Sequence, residues 1–211
     1  MYPTEEKSTS LRILGITGNV GSGKSTILAY LQQRWHARVL ELDKVAAFLQ
    51  RRGGPCFQPM LDLLGRPEDF LGEDGEFDRG RVAARVFTDP VLLEKINRIV
   101  HPAVKDYVRQ EILKMDSALL VIEAALLFEE HYEQICHEIW YIFTEEAVRA
   151  SRLKESRGYT DEKIASILRS QADDAFFRSR ADAVIDNSAP DPVNAFVQID
   201  AQMERFMKNE C

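Results

Sequence analysis

Nine residues limit what this chain can be more than any others: Gly18-Asn19-Val20-Gly21-Ser22-Gly23-Lys24-Ser25-Thr26. They satisfy the pattern G-x-x-x-x-G-K-[ST] in full. The flanks agree with it. Leu11 to Thr17 is an apolar, strand-like run, and Ile27 to Leu31 is apolar at helical spacing. Strand, glycine-rich turn and helix are the context the pattern needs. The glycines let successive N–H groups curl into one concavity. The helix that follows adds the partial positive charge of its N-terminus. Such a stretch holds polyphosphate. Lys24 is expected to reach the β- and γ-phosphates, and Ser25 to offer its hydroxyl to Mg²⁺.

Composition narrows the setting. The 211 residues suffice for one α/β domain with an insertion. Net charge is −7, with 34 acidic against 27 basic residues, which opposes non-specific nucleic-acid binding but leaves room for a local basic pocket. Cys56, Cys136 and Cys211 are far apart and show no metal-ligand spacing, so free thiols in a reducing cytoplasm are expected. Met1 to Ser10 is polar, unlike a signal peptide, and reads as a flexible lead-in. The most apolar run, Leu119 to Phe128, is too short to span a bilayer and is interrupted by Glu123. No membrane, nucleic-acid or obligate protein partner is expected.

Arg38 to Asp43 reads as a second strand, parallel to the first. Asp43 would then stand at a carboxyl end, where open parallel sheets bind ligands. It is either the carboxylate that accepts a proton from an attacking hydroxyl or the N-cap of the next helix. Residues 44–116 read as a helical insertion too long for a connector. It includes a stripe at Phe57 to Leu64, a loop from Gly65 to Asp78, and helices at Arg79 to Phe87, Pro90 to Val100 and Ala103 to Lys114, the last two parted by His101-Pro102. An acceptor-binding subdomain is expected there, with Arg79, Arg81, Arg85 and His101 as candidate contacts; solvated arginines and a structural histidine are the plainer alternatives.

Ala118 to Glu123 is a third strand, and Glu123 at its end is a candidate for the Mg²⁺ shell. Glu138 to Phe143 is a fourth and Ala183 to Asp186 a fifth. Asn187 after it either reads a base edge of the nucleotide or is a turn residue. Between them, Arg149, Arg152 and Arg157 precede Gly158, and Thr160 caps a helix running to Gln171. Two helices joined at a glycine, the first bearing arginines, suit a lid that supplies cations to phosphoryl transfer; an exposed charged hairpin is the alternative. Arg152 and Arg157 are the candidate catalytic arginines, with Lys24 and Asp43. Asn194 to Met207 is a final amphipathic helix.

Several stretches in order resemble the dephospho-CoA kinase family: Gly15 to Ser25, Asp43, Asp78-Arg79, Val86-Phe87, His101-Pro102, Leu126 to Glu129, Gln171, and Ala181 to Asn187. The resemblance covers nearly the whole chain after residue 10. It implies a P-loop NTPase-type three-layer α/β fold with a five-stranded parallel sheet. Its core would be 11–43, 117–150 and 183–211, with the insertion at 44–116 and a lid with return helix at 151–182. It implies ATP and Mg²⁺ as cofactors and transfer of the γ-phosphoryl to the ribose 3′-hydroxyl of dephospho-CoA, with Asp43 as the base. The chain departs from the family pattern at Asn19, Glu41, Ala47, Ala125 and Phe177. Ala47 stands where a basic residue is common, and Lys44, Arg51 or Arg52 would have to compensate. The rival readings are another small-molecule P-loop kinase, a nucleotide-dependent switch, and a binding protein without catalysis. No N-K-x-D run for guanine selection is present.

Overall fold

The apolar run before the phosphate loop is buried along its whole length, and a sheet forms around it. In the computed structural model, which describes residues 11–208, this run is β1 (Arg12–Thr17). The lead-in expected over residues 1–10, and Cys211, lie outside the described residues. The other strands are β2 (Arg38–Glu41), β3 (Leu119–Glu123), β4 (Glu138–Phe143) and β5 (Ala183–Asp186). They make one five-stranded sheet in the order β2-β3-β1-β4-β5. β1 pairs in parallel with β3 and β4, and β4 with β5. Ile16 lies opposite Glu123 on one side and Trp140 on the other. The chain thus leaves β1 at the point where strand order diverges, where open α/β sheets form their ligand crevice.

The helices in chain order are α1 (Lys24–Trp35), α2 (Leu42–Leu49), α3 (Phe57–Leu64), α4 (Pro67–Phe70) and α5 (Arg79–Phe87). They continue with α6 (Pro90–Leu113), α7 (Glu146–Arg157), α8 (Asp161–Ser170), α9 (Asp174–Arg178) and α10 (Val193–Lys208). The chain divides into two units: Leu40–Met115 is one, and the residues before and after it form the other, here termed the core unit. No helix of the described residues is long and apolar enough to cross a membrane.

In the core unit, Leu14, Ile16, Ile27, Leu31, Trp140, Ile142, Ile199, Met203 and Phe206 pack into one buried cluster. Two polar bonds fix α1 against α10. The Tyr30 hydroxyl donates to Asp200 Oδ2 at 2.7 Å, and Trp35 Nε1 donates to Asp200 Oδ1 at 2.8 Å. The Tyr30 and Phe196 rings stack at 4.0 Å. The helix that follows the phosphate loop is therefore anchored along its outer face as well as in the core.

The inserted unit corrects two expectations. The strand read over Arg38 to Asp43 stops at Glu41, and Leu42 and Asp43 open α2 instead. The apolar stripe Leu42, Val45, Leu49 decides this: its i, i+3, i+7 spacing is helical, and all three residues are buried. Asp43 is also not the N-cap. That position is Glu41, which makes no capping bond and pairs with Lys44 at 2.7 Å. Secondly, His101-Pro102 does not divide the helix; α6 runs from Pro90 to Leu113 with Pro102 inside it. An internal proline costs roughly 3 kcal/mol. Leu92, Ile96, Val100, Val104 and Val108 continue one buried stripe through it, each worth about 1.5–3 kcal/mol. Pro102 falls on the exposed face, where a carbonyl without its helical donor can turn to water. The loop expected over Gly65 to Asp78 contains the one-turn helix α4 and a bridge between Leu71 and Phe77.

Candidate functional site

The loop after β1 closes around its own lysine. Lys24 Nζ donates to the carbonyl oxygen of Gly18 at 2.7 Å and lies 3.5 Å from Glu123 Oε1. Glu123, at the end of β3, is only 8% exposed. The lysine expected to reach phosphate and the carboxylate expected in the Mg²⁺ shell are thus neighbours. Ser25 and Thr26, on the first turn of α1, are exposed. Gly23 is the N-cap of α1 and has φ 83°, which a side chain disfavours.

Three elements hold the loop from outside. Asn187, 3% exposed after β5, donates from Nδ2 to the Ser22 carbonyl at 2.8 Å. That bond makes it a brace of the phosphate loop, a role the sequence reading did not weigh. The Thr144 hydroxyl lies within 3.2 Å of the carbonyl oxygens of Ser22, Phe143 and Asn187, and can donate to one at a time. Thr144 was legible only as the residue before a helix.

The arginine helix α7 supplies the third hold. Arg152 Nη2 donates to the carbonyls of Asn187 and Ala189 at 3.0 and 3.1 Å. Its Nη1 is buried with no hydrogen-bond partner, near Gly23. Arg149, one turn earlier, is 8% exposed and donates from Nη1 to Gln171 Oε1 at 2.7 Å. Arg157 differs. It is exposed, with its guanidinium 5.9 Å from the centre of the Tyr159 ring. Five residues beyond Arg152 is about 140° around the helix, so the two cannot share a face. Arg149 stands four residues before Leu153, the other buried residue of α7, and that shared helical face was the signal that would have favoured Arg149 over Arg157. Gly158 then ends α7 in a left-handed cap, and Thr160 caps α8 by accepting from Lys163 N, as expected.

The inserted unit has its own cavity of about 820 Å³. One stripe of α2 and its end lines it, with Asp43, Ala47, Gln50 and Arg51. Arg79, Val82 and Val86 of α5 and Phe77 line it as well. Asp43 is exposed and has no hydrogen bond or ion pair among the described residues, so its carboxylate is available. The structure thus brings Asp43 and Arg79 to one cavity. It does not bring Arg85 or His101 there: Arg85 pairs with Asp89 at 2.9 Å, and His101 lies midway along α6. Arg81 pairs with Asp78 at 3.2 Å.

The family model described as dephospho-CoA kinase matches residues 12–191. A dephospho-CoA kinase of Streptococcus mutans is 32% identical over 201 residues, covering 94% of this chain and 99% of the relative. One from Carboxydothermus hydrogenoformans is 32% identical over 181 residues, covering 84% and 86%. The chain belongs to the dephospho-CoA kinase family. A crystal structure of a Thermus thermophilus protein superposes with a TM-score of 0.80 at 30% identity, covering 93% of this chain and 98% of that one. A shikimate kinase from Bacteroides thetaiotaomicron, at 11% identity and a TM-score of 0.53, shares the fold alone.

Two departures from the dephospho-CoA kinase pattern have physical accounts. Asn19 needs no glycine, because the only described non-glycine residues with positive φ are His36 and His131. Its side chain instead donates to the Ala172 carbonyl at 3.4 Å, tying the loop to the segment before α9. Phe177 is 4% exposed and stacks on Tyr141 at 4.8 Å, so this position is core here; the neighbouring Arg178 pairs with Asp174 and covers the Phe143 ring.

The residues present fit a nucleotide and a magnesium ion. Ser22 Oγ, Arg152 Nη1 and Asn187 Oδ1 are buried around the loop without hydrogen-bond partners, a cost that a polar ligand would relieve. Among the described residues no group of three or more His, Cys, Asp and Glu could enclose a metal. A hydroxyl and one carboxylate, completed by phosphate oxygens and water, is a donor set of the kind that suits Mg²⁺. The fit is tight at Gly23. A Cβ there would stand 2.4 Å from Asn187 Nδ2 and 3.4 Å from Arg152 Nη1. Gly23→Ala is expected to lower stability by about 1–3 kcal/mol, from left-handed strain and displacement of Asn187. Nucleotide affinity should fall with it; a thermal melt and a nucleotide titration check both.

Proposed function

We propose that this protein transfers the γ-phosphoryl group of ATP to the ribose 3′-hydroxyl of dephospho-CoA, giving CoA and ADP, the last step of coenzyme A biosynthesis. The observation that carries this reading is the family match over residues 12–191, on a chain whose phosphate loop is complete.

The roles follow from the chemistry. Phosphoryl transfer asks the protein chiefly for positioning and for cations at the phosphate oxygens. The backbone N–H groups of Gly18 to Thr26 cradle the donor's phosphates, and Lys24 exchanges its Gly18 carbonyl for phosphate oxygen. Arg152 adds the second cation, held on two carbonyls and carrying a free Nη1. Ser25 and Glu123 are the residues that would hold Mg²⁺. A bound ion would supply charge neutralisation at the donor's phosphates. Asp43 accepts the proton of the attacking hydroxyl. Arg157 has the weakest support among the arginines, because its guanidinium lies against Tyr159. A reducing cytoplasm, with ATP as donor, is the setting in which Cys56 and Cys136 stay as free thiols.

The test is direct. The protein is incubated with Mg·ATP and dephospho-CoA, ADP release is followed, and the acceptor is identified by mass. One added phosphate, placed at the 3′ position by fragmentation, is the expected result. ADP release with no phosphorylated acceptor would point to a nucleotide-dependent switch. No product at saturating substrates would overturn the kinase reading.

A further inference from the structure

We propose that Arg51 selects the acceptor, gripping the diphosphate of dephospho-CoA together with Arg79 in the cavity of the inserted unit. The inference rests on the phosphotransfer reading above and assigns to this cavity a residue that the sequence left as one of three alternatives.

Several cations of this unit are already paired: Lys44, Arg81, Arg98 and Arg109 each have a carboxylate within 3.2 Å on their own helix or its N-cap, and Arg85 has Asp89, the N-cap of the next helix, at 2.9 Å. Arg51 and Arg79 have no ion pair and no side-chain hydrogen bond among the described residues, yet both line the cavity. Carboxylates are not lacking there: Asp43, Asp74 and Glu76 line the same space. Asp74 and Glu76 are engaged by backbone, accepting from Glu76 N and Arg52 N, each at 3.0 Å. Two guanidinium groups therefore face open volume beside an apolar wall of Met60, Phe77, Val82 and Val86.

That combination matches one ligand chemistry. An adenosine joined through a diphosphate to a long neutral arm presents a ring and chain to the apolar wall and two negative charges to the guanidinium pair. Arginine forks are the preferred partners of such oxygens, because each can form two parallel charge-assisted bonds. Asp43 and Ala47 stand one turn apart on α2, and Arg51 follows just beyond its C-cap Gln50, all three lining the cavity. The hydroxyl to be phosphorylated and the diphosphate belong to the same nucleotide, and Asp43 and Arg51 offer a partner for each.

The structure also separates Arg51 from its neighbours. Lys44 is tied to Glu41. The Arg52 guanidinium approaches Gly75 and lines a separate, shallower recess with Pro67, Leu71 and Gly72. Only Arg51 of the three shares the cavity with Ala47 and Arg79.

The experiment measures the acceptor's KM and its calorimetric Kd for wild type, Arg51→Ala, Arg51→Lys and the double variant Arg51→Ala with Ala47→Arg. Arg51→Ala should raise KM and Kd for dephospho-CoA at least tenfold, leave KM for ATP within twofold, and change kcat little. Arg51→Lys should fall between, since it keeps the charge and loses the fork. Ala47→Arg, on α2 and lining the same cavity, should recover part of the loss. If wild type phosphorylates dephospho-CoA and Arg51→Ala keeps its acceptor affinity, the inference is overturned while the function stands. If wild type neither binds nor phosphorylates dephospho-CoA, the functional reading falls and takes the inference with it. A loss in Arg51→Ala shared equally by ATP and acceptor would mean general disruption and would also overturn the inference.

Discussion

Lys24→Ala should lose both nucleotide affinity and turnover, with kcat/KM for ATP reduced about 10²–10³-fold, the usual cost of removing one preorganised charge donor from a transition state. The geometry explains why one side chain carries so much. Lys24 begins α1, so its ammonium adds to the partial charge of the helix terminus rather than acting alone. Its Nζ is already gathered onto the Gly18 carbonyl and near Glu123, so little side-chain freedom remains to be lost when phosphate replaces the carbonyl. Lys24→Arg should not restore activity, because a planar fork cannot occupy the position of a compact ammonium. Stopped-flow nucleotide binding and steady-state kinetics, with a thermal melt as control for the lost Glu123 contact, measure the effect. Near-normal kcat/KM in a folded Lys24→Ala protein would rule out a polyphosphate donor at this loop.

Asp43→Asn should act on the other reactant. ATP affinity is expected to stay within twofold while kcat falls about 10²–10⁴-fold, the range for loss of a general base. The substitution keeps volume and removes the acceptor of the proton, and among the described residues Asp43 has no hydrogen-bond or ion-pair partner whose loss would complicate the result. Its exposed position in the first turn of α2 gives little reason for a stability change, apart from a few tenths of a kcal/mol of helix-dipole interaction. If turnover were normal, Asp43 would be a first-turn acid serving the dipole alone.

The readable parts of this chain were those that local chemistry fixes. The glycine-lysine loop, β4 and β5 with their unbroken apolar runs, and α5 behind its Asp78 cap stand where the sequence placed them. Asp78 accepts from Gly80 N and Arg81 N, a bond set whose signature is short-range. The misread parts are those in which a distant surface decides. Pro102 signals a break, but a buried stripe on both sides outweighs it. Leu42-Asp43 continues an extended pattern until Val45 and Leu49 claim Leu42 for a helix. The site shows the same division. The loop residues follow from a motif, whereas Asn187 as its brace and Arg149 as the buried arginine depend on contacts across 165 and 22 positions. No spacing rule reaches that far.

Both tryptophans fall in the core unit. Trp140 is fully buried in the sheet, and Trp35 holds Asp200 of α10 through its indole nitrogen. Residues 40–115 contain none. Indole emission therefore watches only one of the two units, while far-ultraviolet circular dichroism sums the helices of both. Placing the two signals on one denaturation curve turns the uneven distribution of a chromophore into a measurement: coincident transitions would mean that the inserted helices and the sheet melt as one cooperative body, and a dichroism change that precedes the emission change would give the insertion a stability of its own.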